Sequence, residues 1–135
     1  MENENKQYFT PDITDIKVGY ECEVNPSSLA GGKDYWVNNI AKSIINLQGL
    51  EELLKVDCLR TPYLTKEQIE NEGWKEEREN YYYKEDAQLH TFIGKIDNKI
   101  FDMRISIYND IGKLFYGECK DINTFRWICK LLKIN

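Results

Sequence analysis

The sequence contains one histidine, His90, and no long apolar run. A Ser/His/Asp or Cys/His nucleophilic site would have to use this histidine, and no flanking signature supports such a site. No apolar run approaches the roughly 18 residues of a membrane span, and the opening residues "MENENKQYF" are polar and acidic rather than an apolar signal region. We therefore expect a cytoplasmic protein that does not enter a membrane.

The four cysteines lie far apart in the sequence: Cys22, Cys58, Cys119 and Cys129. They include no close pair of the kind that zinc sites and redox motifs use. Because no export signal is recognised, their thiols are expected to be reduced. We predict four free cysteines, no metal site and no cofactor.

Composition indicates one folded domain with a predominantly acidic surface. The 135 residues can bury a substantial core, and 41% hydrophobic with 13% aromatic residues speaks against disorder. The net charge of −5 is uneven, because residues 1–24 and 65–86 are acidic whereas residues 113–135 are basic. An acidic surface repels a phosphate backbone, so general nucleic-acid binding is disfavoured.

The stretch "RTPYLTKEQIENEGW", residues 60–74, contains signals for both ends of a short helix. Thr65 and Gln68 have the spacing of a capping box, and Gly73 can adopt the left-handed conformation that ends a helix. We therefore predict a helix from Lys66 to Glu72. So short a helix is not stable alone and must dock through apolar neighbours, so we interpret it as a joint between sheet segments.

Alternation of apolar and polar residues predicts several strands. "ITDIKVGYECEV" alternates throughout, and its inward set is Ile16, Val18, Tyr20, Cys22 and Val24. After Trp74, the segments "NYYYK", "QLHTFIGKI", "KIFDMRISI" and "KLFYGEC" are separated by residues that suit tight turns, which predicts an antiparallel meander. The predicted core face of the third segment is Phe101, Met103, Ile105 and Ile107.

Other parts of the chain give weaker or broader signals. "NPSSLAGGKD" reads as a loop, and Tyr35 to Leu47 favours neither strand nor helix over the other. "DINTFRWICKLLKIN" predicts a closing helix with Asp121 as its N-cap and an apolar arc of more than half its circumference. We expect Trp127 to lie in a core closed by the Tyr35 to Leu47 segment, with an open interface as the alternative.

Together these signals predict a single α+β domain over residues 1–135. We expect an antiparallel sheet of about five or six strands. The closing helix packs on one face of that sheet, and the short Lys66 to Glu72 helix connects sheet segments.

Two acidic residues and one lysine suggest the alternative of a metal-dependent nuclease. Asp102 is followed on the next predicted strand by Glu118 and Lys120, in the order that PD-(D/E)xK-like nucleases use to bind a divalent ion and position water. The resemblance covers these three residues alone, and Asp102 is not preceded by proline. E-x-K is also a common tripeptide, so a structural role is the simpler interpretation.

Exposed aromatic and apolar residues are candidates for binding a protein partner. In a strand, Tyr82 faces away from Tyr81 and Tyr83, so at least one of the three tyrosines is expected in the core. Aromatic side chains dominate protein interfaces, and the wide arc of the closing helix can expose more of them. The candidate partner-binding residues are Tyr81, Tyr83, Trp127, Leu131 and Ile134.

The segments "YFTPDITDIKVGYECEV", "RTPYLTKEQIENEGW" and "YGECKDINTFRWICKLLKI" resemble small proteins encoded by phages and mobile elements of Bacteroidetes. That group has no assigned activity. The resemblance therefore implies a genomic setting and not a site.

We predict a non-enzymatic accessory protein that binds another protein, with self-association left open. One alternative is the nuclease described above. The other is an acidic inhibitor of a host nuclease or defence protein, suggested by "KEQIENEGWKEEREN". That segment interleaves Lys66, Lys75 and Arg78 among its carboxylates, which breaks the even spacing of a nucleic-acid mimic.

Overall fold

The computed structural model describes residues 6–25 and 36–134. These residues form nine strands, three α-helices and a short 3₁₀ helix. The α+β fold class is confirmed. The strands lie in two antiparallel sheets, of four and five strands, rather than in one sheet of five or six. The chain divides into two compact units, Met1–Pro62 and Tyr63–Asn135, while the prediction of a single domain stays a prediction.

The first unit contains the four-stranded sheet, one α-helix and the 3₁₀ helix Ile13–Asp15. The other elements are β1 (Tyr8–Phe9), β2 (Glu21–Val24), β3 (Val37–Ile40), α1 (Ile44–Lys55) and β4 (Leu59–Pro62). In the described residues the strands have the order β1-β4-β2-β3, and every neighbouring pair is antiparallel.

The alternating segment before β2 is only partly a strand. A turn in which the Tyr20 amide donates to the Lys17 carbonyl, with Gly19 at a φ of +98°, precedes β2. This turn leaves Val18 56% exposed, so the prediction that Val18 faces inward is wrong. The other four residues of the predicted inward set are buried, and the Tyr20 hydroxyl shares a buried 2.7 Å hydrogen bond with Thr61.

The ambiguous segment between Tyr35 and Leu47 contains both kinds of element. Val37–Ile40 is β3, and α1 begins at Ile44. Tyr35 and nearly all of the predicted loop "NPSSLAGGKD" lie outside the described residues.

The second unit contains the predicted meander and two α-helices. The elements are α2 (Lys66–Asn71), β5 (Lys75–Arg78), β6 (Tyr81–Lys84), β7 (Ala87–Ile96), β8 (Lys99–Tyr108), β9 (Lys113–Glu118) and α3 (Ile122–Leu131). Each strand pairs with the next in the order β5-β6-β7-β8-β9, and all pairs are antiparallel. The strand β5 was not predicted, because its four residues are charged and exposed.

The caps of α2 are confirmed. The Gln68 amide donates to the Thr65 hydroxyl, and the Thr65 amide donates to the Gln68 side chain, each at 3.1 Å. Gly73 has a φ of +98°, and the helix is one residue shorter than predicted. Trp74 follows and is buried, with its ring centroid 6.0 Å from that of Phe125.

The core of the second unit takes residues from the inner sheet face and from one side of α3. Asp121 is the N-cap residue, but its carboxylate accepts hydrogen bonds from the side chains of Asn123 and Thr124 rather than from the helix backbone. The buried set includes Leu89, Met103, Ile105, Ile107, Ile122, Phe125 and Ile128.

Phe101 is 58% exposed, so its predicted place in the core is wrong. A register shift lies beside it at Gly94 and Lys95. The Phe101 ring occupies the space that a side chain at Gly94 would need. Among the described helices, none combines the length and the apolar character required to span a bilayer.

Candidate functional site

The strand register brings residues from all five strands of the second unit into one line. Arg78 is opposite Tyr81, Tyr81 is opposite His90, and His90 is opposite Ser106, which is opposite Tyr116. Neighbouring positions along a strand point to opposite faces, and the neighbours Tyr82, Leu89 and Ile105 are buried. The line therefore lies on the outer face of the sheet.

Side chains along this line form a continuous series of contacts. The Tyr81 and His90 rings stack with centroids 3.9 Å apart and an interplanar angle of 18°. The His90 centroid is 4.0 Å from that of Phe92, which meets Tyr116 edge-on at 5.9 Å. We call this set the aromatic row, and its members are Arg78, Tyr81, His90, Phe92, Tyr116 and Lys113.

A cation lies over the ring at each end of the aromatic row. The Arg78 guanidinium carbon is 4.0 Å from the Tyr81 centroid, and the Lys113 ammonium is 5.3 Å from the Tyr116 centroid. Partial burial and the Arg78 charge lower the pKa of His90 below its ordinary value of 6.5. The imidazole is therefore neutral at pH 7, and the row carries its positive charge at its two ends.

The aromatic row lies over the middle of the outer sheet face, and its own rings are partly exposed to solvent. Ser106 is buried even though it faces outward, and its strand lies between the strands of Phe92 and Tyr116, whose rings are in contact. Phe92 and Tyr116 are themselves 38% and 52% exposed. Tyr83, two residues from Tyr81 on the same strand and face, is exposed as well.

The sequence-predicted partner residues fall on two surfaces. Tyr81 and Tyr83 lie on the outer sheet face, and Tyr82 is buried, so the prediction that at least one of the three tyrosines lies in the core is confirmed. Trp127 and Leu131 are 57% and 60% exposed, one helical turn apart on α3, while Ile134 is half-buried. The expectation that Trp127 is enclosed in a core is wrong, because α3 buries the side that carries Phe125 and Ile128 instead.

The two acidic nuclease candidates, Asp102 and Glu118, each have a cationic neighbour. Arg104 is opposite Glu118 in the β8–β9 register, and its Nε donates to the Asp102 carboxylate at 3.0 Å. Lys120 is 3.9 Å from Glu118. A divalent ion at Asp102 would have to displace Arg104. Within residues 6–25 and 36–134, no group of three His, Cys, Asp or Glu side chains is arranged to hold a metal ion.

The acidic segment suggested as a nucleic-acid mimic has part of its charge neutralised. Glu76 forms an ion pair with Lys66 at 2.8 Å, and the Glu72 carboxylate accepts from Arg126 at 2.9 Å. These pairs reduce the number of free carboxylates that a nuclease channel would meet.

The four thiols are free, as predicted, in the described part of the chain. Burial is the main reason that the pKa of Cys22 is raised to about 12 and that of Cys129 to about 11. At neutral pH these groups are protonated and poorly nucleophilic.

Comparison of the chain with protein-family models, with curated proteins and with solved structures finds no match.

Most of the aromatic row was missed by reading the sequence. Tyr81 was a candidate, but Arg78, His90, Phe92 and Tyr116 were not, because their association depends on the register of five strands. A local signal was present in "LHTF", where His90 and Phe92 alternate with Leu89 and so had to face away from the core.

Proposed function

We propose that this protein is a non-enzymatic accessory protein that binds another protein through the aromatic row. The observation that carries the proposal is the unbroken series of ring contacts across the outer face, from Arg78 on the edge strand to Tyr116 on the opposite edge strand. Tyrosine and arginine are enriched among residues that dominate binding energy at protein interfaces.

The packing of the row supports binding for an entropic reason. Each ring is already held by a neighbour, as in the Tyr81 and His90 stack. Side chains ordered before association lose less conformational entropy when a partner covers them. Tyr83 extends the exposed area beside the aromatic row, and Tyr83 and Tyr116 both carry a hydroxyl for polar contacts.

The charges at the two ends indicate the chemistry of the partner. Arg78 and Lys113 offer cations on either side of a neutral aromatic centre. A complementary surface has apolar side chains in its middle and carboxylates at its margins. We propose a protein partner of that description.

Single-stranded nucleic acid is the less favoured occupant of the same face. Base stacking needs free ring faces, whereas Tyr81 is stacked on His90 on one side and covered by Arg78 on the other. The net charge of −5 also opposes a phosphate backbone. The proposed genomic setting, a phage or mobile element of Bacteroidetes, rests on the sequence resemblance and suggests a partner encoded by the element or by its host.

Site-specific photo-crosslinking tests the proposal in the native host cell. A photoreactive phenylalanine analogue replaces Tyr83 or Tyr116 in two separate variants, and Ile111 in a control. Ile111 is 93% exposed in the β8–β9 turn and is not part of the aromatic row. We expect the same protein to be crosslinked from both tyrosine positions and not from Ile111.

Nuclease treatment and mass analysis separate the alternatives. An adduct digested by nuclease would identify nucleic acid as the occupant and overturn the proposal, and an adduct of twice the chain mass would identify self-association.

Binding of the identified partner is then measured with purified proteins. The substitutions Phe92→Ala and Tyr116→Ala should each weaken binding by at least roughly tenfold, as expected of interface anchors, whereas Ile111→Ala should leave it unchanged. Circular dichroism of each variant establishes that the sheet is retained. Unchanged affinity in both folded variants would contradict the assignment of this face.

A further inference from the structure

The two edge strands of the five-stranded sheet, β5 and β9, differ in their charge. All four residues of β5 are charged and exposed, and charged side chains on an edge oppose pairing with a further strand. In β9 the charged residues are Lys113 and Glu118 at the two ends, and the residues between them are LFYG. Leu114 and Tyr116 in this stretch are exposed. The edge at β9 is therefore the one at which a further strand can pair.

Alternate residues of β9 direct their backbone hydrogen-bonding groups away from β8. The Cys119 amide donates to the Met103 carbonyl on β8 at 3.0 Å. In an antiparallel pair every second residue exchanges hydrogen bonds with the strand opposite, so Gly117 faces β8 as Cys119 does. Tyr116 and Glu118 therefore present their N–H and carbonyl groups on the other side of β9.

The chain itself occupies one end of this edge. Lys120 follows Glu118 by two residues, and its carbonyl accepts a hydrogen bond from the Leu64 amide at 2.7 Å. At Tyr116 and Glu118, in the part of the chain that the structure describes, no strand pairs with β9 on this side. The open edge is therefore the stretch from Leu114 to Glu118.

The open edge is continuous with the aromatic row. The Tyr116 ring contacts Phe92, and the Lys113 ammonium is 5.3 Å from the Tyr116 centroid. Paired strands lie about 4.8 Å apart, so a strand beside β9 would bring its own outward side chains against Tyr116. The cation at this end of the row is complementary to a carboxylate on that strand.

We propose that the partner protein pairs an extended segment with β9 and so adds a sixth strand to this sheet. The backbone of the segment binds the outward N–H and carbonyl groups of Tyr116 and Glu118. An apolar side chain of the segment covers the Tyr116 ring, and a carboxylate lies beside Lys113. Strand addition of this kind derives affinity from main-chain hydrogen bonds and specificity from alternate side chains. This proposal rests on the proposed function and adds the way in which the partner binds.

Amide hydrogen exchange of the free protein, followed by NMR on the ¹⁵N-labelled full chain, tests whether the edge is open. The Tyr116 and Glu118 amides should exchange at least roughly tenfold faster than the Gly117 amide, which is bonded to β8. Protection of both outward amides in a monomer would show that the chain already covers this edge and would overturn the proposal. Protection in a sample that sediments as a dimer would identify a second copy as the occupant, which would also overturn it.

The same measurement on the complex tests the added strand. The partner is the protein crosslinked from Tyr83, which lies on β6, away from the β9 edge. We expect the Tyr116 and Glu118 amides to become protected by at least roughly tenfold when this purified partner is added. If Phe92→Ala weakens binding but the two amides stay unprotected, the proposed function stands and strand addition is wrong. If no protein is crosslinked from Tyr83, both are wrong.

A backbone substitution with a matched control tests the same hydrogen bonds by affinity. Glu118→Pro removes the outward amide hydrogen, and Glu118→Ala removes the same side chain but keeps that hydrogen. The proline variant should bind the partner at least roughly tenfold more weakly than the alanine variant. Circular dichroism establishes that the sheet is retained, and amide protection in the natural chain decides the question if the proline variant does not fold. Equal affinity of the two folded variants would overturn the proposal.

The carboxylate on the partner segment is tested at Lys113. Lys113→Gln should weaken binding by at least roughly threefold at low ionic strength, whereas Lys75→Gln on the β5 edge should leave binding unchanged. Equal effects of the two substitutions would overturn the placement of a carboxylate beside Lys113.

Discussion

Arg60 holds Glu23 with two nitrogens on the same carboxylate oxygen, Nε at 3.0 Å and Nη2 at 2.9 Å. The two residues are directly opposite each other on β4 and β2. The guanidinium also lies 3.6 Å from the Tyr8 centroid and 4.2 Å from that of Trp36. Glu23 is only 9% exposed, so its charge depends on Arg60 and on Lys6, which is 3.5 Å from the other oxygen.

Removing Arg60 alone should therefore be costly. Arg60→Met keeps much of the side-chain volume but leaves a buried carboxylate with only Lys6 and the Tyr8 hydroxyl as partners, and we expect a loss of about 2 to 4 kcal/mol in the free energy of unfolding. The double substitution Arg60→Met with Glu23→Met should lose less, because no buried charge remains. Urea denaturation of both variants measures the difference. A double variant less stable than Arg60→Met would contradict this explanation.

The exposure of Trp127 predicts a small effect on stability. Trp127→Ala should lower the free energy of unfolding by less than about 1 kcal/mol, since its side chain is already more than half in water. Phe125→Ala, two residues away and fully buried, should cost about 3 to 5 kcal/mol. Thermal melts compare the two, and sedimentation of the Trp127 variant reports any change in self-association. A loss at Trp127 as large as that at Phe125 would show that the tryptophan is enclosed.

Gly73 and Gly49 should respond to alanine with opposite signs. At Gly73 the backbone is left-handed and a Cβ would lie 3.0 Å from the Lys84 side chain, so Gly73→Ala should destabilise by about 1 to 2 kcal/mol. At Gly49, inside α1, no described atom beyond its chain neighbours and the nearby helix backbone lies within 4 Å of the added Cβ, and Gly49→Ala should stabilise the helix by up to about 1 kcal/mol. Chemical denaturation followed by circular dichroism checks both signs.

The buried thiol of Cys22 predicts loss of stability at alkaline pH. Its pKa is raised from 9.0 to about 12, mainly by burial, whereas an unfolded thiol ionises near its ordinary value. The folded state therefore keeps the proton that the unfolded state releases, and stability is fully present below pH 9. It should fall by up to about 1.4 kcal/mol per pH unit between pH 9 and 12.

Comparison with Cys22→Ala isolates this contribution, because the tyrosines and lysines titrate in both proteins. The variant should be less stable at pH 7 but should lose less stability than the natural chain between pH 9 and 11. Parallel curves for the two proteins would exclude Cys22 as the cause.

Local signals in the sequence were sufficient for α2 and for most strands of the meander. Thr65 and Gln68 cap each other and are only three residues apart, so the interaction can be recognised from the local sequence. Alternation likewise placed Tyr82 on the face opposite to Tyr81 and Tyr83, although it did not say which face is buried. The β5 strand escaped this method because pairing with β6, and not burial, makes it a strand.

Longer-range features could not be derived in the same way. The β4 strand pairs with β1 and β2, which lie far from it in sequence, and this pairing produces the separate four-stranded sheet. The width of the apolar arc on α3 did not tell which residues are covered, and Trp127 was assigned to the wrong side. The aromatic row depends on the register of all five strands. That register includes shifts between Glu76 and Arg78 and between Ile107 and Tyr108, which no local sequence pattern predicts.

The different strand orders of the two sheets have a consequence for how fast each half of the chain folds. In the five-stranded sheet every pairing joins consecutive strands through a short turn, so structure can grow one hairpin at a time. In the four-stranded sheet, β1 pairs with β4, so Tyr8 must come opposite Pro62 before β1 is hydrogen-bonded to a neighbouring strand. The entropy cost of closing so long a loop must be met before the strand contacts that offset it can form. Topologies of this kind fold more slowly. The five-stranded sheet, which carries the aromatic row, should therefore complete its native strand pairing before the four-stranded sheet does.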